Sequence, residues 1–147
     1  MFMTTCIGSQ FSLAAIANAD GLEAVTLARL AATLGVRTPS LYKHVSGLPA
    51  VRRALAVRGL TEANSRLERA TVGKAGDAAL FALAHAYWRF AREQPGLYAA
   101  SVVAPRPGEN DVAVAGERLI GTVLAVLSGY GIAGPDARIE FGRYGNA

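Results

Sequence analysis

The sequence predicts an all-α fold made of two helical parts. Apolar residues recur at the three-to-four-residue spacing of helices along nearly the whole chain of 147 residues. No Val/Ile/Thr-rich stretch alternates apolar and polar residues over a useful length, so strands are not expected. A hydrophobic content of 52% allows a sizeable core, and the single cysteine excludes an internal disulfide framework. Glycine and proline residues separate the periodic segments and set the predicted helix boundaries.

The first helix is predicted at about residues 12–20, closed by Gly21. Residues 11–19 end in Ala-Asn-Ala, which resembles a signal-peptide cleavage site, but no Lys or Arg precedes Arg29, so a signal peptide is not expected. A membrane span is not expected either. The longest charge-free run, residues 119–135, contains four glycines and a proline and is shorter than the roughly 20 residues that span a bilayer. The sequence therefore favours a cytoplasmic protein.

The second helix is predicted to begin after Thr26 and to end at a tight turn. Thr26 can cap it, and four apolar residues at positions i, i+3, i+4 and i+7 form one buried stripe. Gly35 supplies the left-handed conformation that a sharp turn requires, and Val36 is predicted to fill the angle to the next helix. The stripe consists of Leu27, Leu30, Ala31 and Leu34.

The third helix is predicted to be short, with Thr38 as its N-cap and Pro39 at its first position. Leu41 and Val45 face inward at i, i+4. The outward residues carry hydroxyl, phenol, ammonium and guanidinium groups that can donate to phosphates or base edges. This arrangement is typical of a helix-turn-helix whose second helix enters the DNA major groove. The outward residues are Arg37, Thr38, Ser40, Tyr42, Lys43 and His44.

Basic residues are concentrated in this part of the chain. Residues 24–61 carry six basic and no acidic residues, the preceding residues sum to −2, and the following residues balance nine basic against nine acidic, so the net charge of +4 arises in one segment. A localised basic face suits a phosphate backbone. From charge alone, a solvated helix face remains the alternative. The six residues are Arg29, Arg37, Lys43, Arg52, Arg53 and Arg58.

The segment VTLARLAATLGVRTPSLYKHV, residues 25–45, resembles the DNA-binding core of the tetracycline-repressor (TetR) family of bacterial transcriptional regulators. The resemblance implies a sequence-specific regulator of double-stranded DNA, most often a repressor. From the residues alone, Tyr42 can equally be a packed aromatic, and Arg52, Arg53 and Arg58 can be solvated charges with no partner. The resemblance implies that Arg52 and Arg53, near the start of their helix, lie close to the duplex. The resemblance implies backbone contacts by Thr26, Tyr42, Lys43 and His44, and base approach by Arg37, Thr38, Pro39 and Ser40.

A connecting helix is predicted from about residue 48 to residue 69, and Gly73 and Gly76 mark the break after it. The predicted division is a helix-turn-helix domain with its connecting helix over residues 1–70 and a C-terminal helical regulatory domain over residues 76–147.

Three helices are predicted in the second part. Pro95 and Gly96 are expected to end the first of them, and Asn110 or Asp111 is expected to cap the third. These helices are predicted at about residues 77–94, 97–103 and 110–128.

The segment HAYWRFAREQPGLYAA, residues 85–100, resembles the ligand-sensing and dimerisation domain of one branch of the same family. The resemblance implies a small-molecule effector and a homodimer. From the residues alone, an aromatic stripe at helical spacing is more often core than pocket, with His85 the polar exception. The candidate ligand-binding residues are His85, Tyr87, Trp88, Phe90, Tyr98 and Ser101.

Relatives in this family end in two long helices that form a four-helix bundle in the dimer, whereas residues 140–147 lose apolar periodicity. We therefore expect an incomplete dimer interface. The alternative function is a truncated, non-enzymatic interaction protein that forms inactive or mixed oligomers. An enzyme is disfavoured because no nucleophile-and-base constellation is present, and no metal site or cofactor is expected from His44, His85 and Cys6 spread along the chain.

Overall fold

The structure, a computed structural model, describes residues 13–41 and 46–132, except for the side chain of Leu41. Regular structure within these ranges is helical without strands, which confirms the all-α prediction. The predictions for Tyr42, Lys43, His44 and Val45, for the side chain of Leu41 and for residues 133–147 lie outside the described part. The helices are α1 (residues 13–20), α2 (Leu27–Thr33), α3 (Thr38–Leu41), α4 (Leu48–Thr71), α5 (Gly76–Glu93), α6 (Pro95–Ser101) and α7 (Asn110–Leu127).

The turn between α2 and α3 follows local capping chemistry. The Thr26 hydroxyl accepts a hydrogen bond from the Arg29 backbone N–H at 3.2 Å, as predicted. Gly35 has a φ of +64°, which confirms the left-handed turn. The prediction for Val36 was wrong, because its side chain is 43% exposed. The buried apolar residues of this region are Val25, Leu30 and Ala31.

Helix α3 begins at Thr38, one residue earlier than predicted. The backbone N–H of Ser40 donates to the carbonyl of Arg37 at 2.9 Å, so the first turn already includes Thr38. Pro39 therefore occupies the second helical position. Its missing N–H costs no hydrogen bond there, because the first four N–H groups of a helix have no partner within the helix.

The 24-residue helix α4 organises the rest of the fold and packs against α5, α6 and α7. Its buried residues recur at helical spacing. The positive φ angles of Gly73 and Gly76 confirm the predicted break after α4. One buried cluster contains residues from α1, α2, α4, α5 and α6, so the core runs across the predicted domain boundary. The division into two domains stays a prediction. The buried residues of α4 are Val51, Leu55, Ala56, Gly59, Leu60, Ala63 and Leu67.

Two helix boundaries differ from prediction. Helix α5 ends at Glu93, just before Pro95, as predicted, but α6 begins at Pro95 and not at residue 97, because proline is tolerated in a first turn. Helix α7 has Glu109 as its N-cap, without a side-chain cap, so the predicted capping by Asn110 or Asp111 was wrong. The Asp111 carboxylate accepts a hydrogen bond from the Val112 backbone N–H at 2.9 Å and forms the ion pair with α4 that is described below.

Helix α7 with its following turn, Asn110–Tyr130, is long and apolar enough to cross a membrane by length and composition, with a mean hydropathy of 1.5. One such helix is weak evidence for membrane insertion, because core helices of soluble proteins pass the same test.

Candidate nucleic-acid interface and apolar cavity

The residues predicted to approach DNA bases lie together at the start of α3. Arg37, Pro39 and Ser40 are exposed and Thr38 is partly exposed, so a guanidinium and two hydroxyls are available at the N-terminal end of the helix. Thr26, predicted to contact the backbone, is also exposed at the start of α2. The other predicted backbone contacts, Tyr42, Lys43 and His44, lie outside the described residues.

Among the basic residues of this segment that the structure describes, Arg29, Arg52 and Arg53 each pair with a carboxylate. Arg29 pairs with Asp20, next to it at the end of α1. The Arg52 guanidinium lies 3.0 Å from the Glu23 carboxylate. Arg52 therefore has a partner from the turn before α2, which corrects the interpretation of it as an unpaired solvated charge.

Arg53 joins α4 to the beginning of α7. Its Nε donates to both carboxylate oxygens of Asp111, at 2.8 and 3.0 Å. The hydrogen bond from Arg53 lowers the pKa of Asp111 below its ordinary value of 3.8, helped by the backbone N–H of Val112. Sequence reasoning missed this pair because Arg53 and Asp111 are 58 residues apart. Both side chains are about half exposed, where ion pairs contribute little and competing phosphates can approach.

An apolar cavity of about 380 Å³ lies between α4, α5 and α7. Its size is in the range of small-molecule sites. Among the described residues, every lining side chain is a hydrocarbon except that of Tyr87, which carries one hydroxyl. The cavity is lined by Leu67, Leu80, Leu83, Ala84, Tyr87, Leu119, Ile120, Val123, Leu124, Val126 and Leu127.

Of the six predicted ligand-binding residues, Tyr87 alone lines this cavity. Burial raises the pKa of its hydroxyl, with a further contribution from Tyr98, so the group is neutral at physiological pH. Phe90 is fully buried in the core. Tyr98 packs edge-on against Tyr87, with 5.9 Å between ring centroids. The Ser101 hydroxyl donates to the Tyr98 carbonyl within α6.

The remaining two predicted ligand residues lie on the exposed side of α5. His85 stacks on Trp88 at 5.8 Å, and the Arg92 guanidinium lies 4.9 Å from the Trp88 ring centroid. Trp88 is 53% exposed. The α7 residues that line the cavity were not predicted to bind a ligand, because these leucines and valines have the same spacing as ordinary core positions.

The C-terminal part of the chain matches a known family. Residues 80–144 match the family described as "Tetracyclin repressor-like, C-terminal domain". This match extends beyond residue 140, where apolar periodicity is lost.

Two curated relatives are named as uncharacterized HTH-type transcriptional regulators. YobS of Bacillus subtilis (strain 168) is 38% identical over 117 residues, which are 80% of this chain and 61% of the relative. Rv0681 of Mycobacterium tuberculosis (strain ATCC 25618 / H37Rv) is 37% identical over 119 residues, 80% of this chain and 55% of the relative. The chain thus spans less than two thirds of the length of these relatives.

A solved structure supports the same relationship. A protein of unknown function from Rhodococcus sp. RHA1 is 28% identical, with a TM-score of 0.65 over 86% of this chain and 71% of that one. Taken with the helix-turn-helix geometry of α2 and α3, these similarities support a regulator of the tetracycline-repressor (TetR) family.

Proposed function

We propose that the chain is a cytoplasmic, sequence-specific DNA-binding transcriptional regulator, a ligand-responsive repressor that acts as a homodimer and not as an enzyme. The observation that carries this proposal is the geometry of α2 and α3. Thr26 caps α2, Gly35 makes the left-handed turn, and Arg37, directly before α3, and Ser40, within it, are exposed. A helix presented in this way enters the major groove with its N-terminal residues against base edges.

Each residue of the helix-turn-helix that was predicted to contact DNA has a defined role in this proposal. Arg37 donates to base edges, where a bidentate contact with guanine is the commonest specific contact, and Thr38 and Ser40 add hydroxyl donors. Thr26, Tyr42, Lys43 and His44 hold the phosphate backbone and fix the register without reading sequence. A two-fold dimer then reads two half-sites.

Fluorescence anisotropy tests DNA recognition, using the DNA that flanks the chain's own gene and a scrambled duplex, at low and near-physiological salt. We expect a preference for the flanking duplex that survives the higher salt. Arg37→Ala should lower discrimination by about 1–3 kcal/mol at one base pair. Arg118→Ala is the matched control, because Arg118 is exposed on α7 and its substitution removes the same charge. Equal, salt-sensitive binding to both duplexes would contradict sequence-specific recognition.

The cavity between α4, α5 and α7 supports an uncharged, largely apolar effector. The lining residues that the structure describes offer one hydroxyl, from Tyr87, and otherwise only hydrocarbon groups. A charged ligand would lose its hydration there without gaining a counter-charge, which is strongly unfavourable. A neutral ligand loses little hydration and buries apolar surface on both partners.

Competition with a fluorescent neutral probe, N-phenyl-1-naphthylamine, tests this effector class. We expect 1-decanol to displace the probe and decanoate, with the same chain length and a negative charge, to displace it at least about tenfold more weakly. Ala84→Trp should fill the cavity and abolish probe binding, whereas Ala113→Trp, at an exposed position of α7, should not. Equal displacement by both competitors, or unchanged binding by the Ala84 variant, would overturn the assignment.

Exposed apolar side chains on α5 support the second candidate, an interaction protein that forms mixed oligomers. Phe81 is 74% and Trp88 53% exposed, which is unusual for large apolar groups that have no partner surface. Solution size at micromolar concentration separates the candidates. The regulator predicts a dimer, and the interaction protein predicts a monomer or mixed oligomers.

A further inference from the structure

Asn18 in α1 forms hydrogen bonds with the first turn of α6, across 78 residues of sequence. Its Oδ1 accepts from the backbone N–H groups of Gly96 at 2.9 Å and Leu97 at 3.3 Å. Its Nδ2 donates to Oε1 of Gln94 at 2.8 Å. All three bonds are made with the beginning of one short helix.

These bonds supply a cap that α6 does not provide for itself. The first N–H groups of a helix have no partner within the helix, and α6 has no side-chain cap at its own N-cap residue, Gln94. Pro95 has no N–H, so Gly96 and Leu97 carry the donors that require a partner. Asn18 satisfies both from the N-terminal part of the molecule.

Two glycines let α6 approach both neighbours at backbone distance. A Cβ atom on Gly96 would lie 2.1 Å from the backbone carbon of Ala17 in α1. A Cβ atom on Gly59 would lie 2.4 Å from the carbonyl oxygen of Leu97. Helix α6 is therefore held between α1 and α4 with no room for a side chain at either contact.

Helix α6 also contacts a residue that lines the apolar cavity. Tyr87 lines the cavity and contacts Tyr98 of α6 edge-on. A ligand that moves the Tyr87 ring therefore pushes on α6, and α6 is tied to α1 by Asn18.

We propose that Asn18 is a positioning residue that couples α6 to the helix-turn-helix, so that ligand binding in the cavity affects α1 and α2. The proposal rests on the proposed function, since it assigns the cavity a ligand. A cap of purely local importance would stabilise only the first turn of α6.

Hydrogen exchange with mass spectrometry on the full chain, without ligand, is the first test. Asn18→Ala should speed exchange by about tenfold in both α6 and α2, and Asn18→Asp, which keeps the accepting oxygen, should restore most of the protection. Asn64→Ala is the matched control. Asn64 also joins two helices, accepting from Thr122 of α7 at 2.7 Å and donating to Glu68 at 2.9 Å.

The control should speed exchange in α4 and α7 and leave α2 unchanged. Faster exchange confined to α6 in Asn18→Ala, or an equal effect on α2 from Asn64→Ala, would overturn the coupling role.

The second test adds saturating N-phenyl-1-naphthylamine. In the wild-type chain the probe should change exchange in α2. Asn18→Ala should bind the probe within about twofold of the wild-type affinity yet lose the change in α2, and Asn18→Asp should regain it. A change in α2 that persists in Asn18→Ala would contradict the proposal. Failure of the wild-type chain to bind the probe would count against the effector cavity, while the exchange test without ligand still decides the role of Asn18.

Discussion

Two contacts of α4 are held in different ways. Its contact with α6 is a backbone contact at Gly59, and α6 is fixed on its other side by Gly96 and Asn18. Its contact with α5 and α7 combines exposed polar pairs such as Arg53–Asp111 with apolar side chains around a cavity of about 380 Å³. A backbone contact that leaves no room for a Cβ atom cannot adjust, whereas side chains around a cavity can change rotamer. One small fold therefore combines a fixed connection, between α6 and its neighbours, with an adjustable region around the cavity.

Removing a buried ring from the core around α6 should lower the free energy of unfolding most. Phe90→Ala removes a fully buried ring from the core that contains α6, and should lower the free energy of unfolding by about 3–5 kcal/mol. Phe81→Ala is the matched control on the same helix, because Phe81 is 74% exposed, and should change it by less than about 0.5 kcal/mol. Urea unfolding measures both. Equal losses would mean that α5 is packed on both sides.

A smaller effect should come from placing a methyl group at the close approach. Gly96→Ala puts a Cβ against the backbone of Ala17 and should cost about 3 kcal/mol, near the upper end of overpacking losses. Gly121→Ala in α7 meets open space and should instead stabilise by about 0.5–1 kcal/mol, since alanine favours helix. Thermal unfolding compares the two variants. A neutral Gly96→Ala would show that α1 and α6 can move apart easily.

The smallest effect concerns the exposed pair that joins α4 and α7. Arg53 lowers the pKa of Asp111, so the folded chain releases this proton more readily than the unfolded chain. The pair therefore contributes stability above pH 3.8, and this contribution is lost as the pH falls through the lowered pKa. Asp111→Asn should flatten that acid part of the curve of unfolding free energy against pH.

Arg53→Gln should flatten the same part of the curve, because it removes the partner that lowers the pKa. A curve that keeps its acid slope in either variant would assign the slope to other carboxylates.

Local chemistry could be predicted from sequence, and contacts between distant segments could not. The Thr26 cap, the Gly35 turn and the extent of α4 follow from residue types within a few positions of each other. The start of α6 at Pro95 was missed, because proline is compatible with both a helix end and a first turn.

The candidate sites divide in the same way. The exposed residues at the start of α3 were predicted from their local pattern, whereas the cavity residues of α7 are indistinguishable in sequence from core positions. The partner of Asn18 is set by the packing of α1 on α6, and no local pattern encodes a contact across 78 residues.

The most direct test of a regulator with an apolar effector site is the linkage between cavity and DNA. The Kd for the flanking duplex is measured by anisotropy with and without saturating 1-decanol, in the wild-type chain and in Ala84→Trp. The account predicts that 1-decanol weakens wild-type binding by at least about fivefold and leaves Ala84→Trp unaffected. An unchanged wild-type Kd, or the same shift in both proteins, would contradict it.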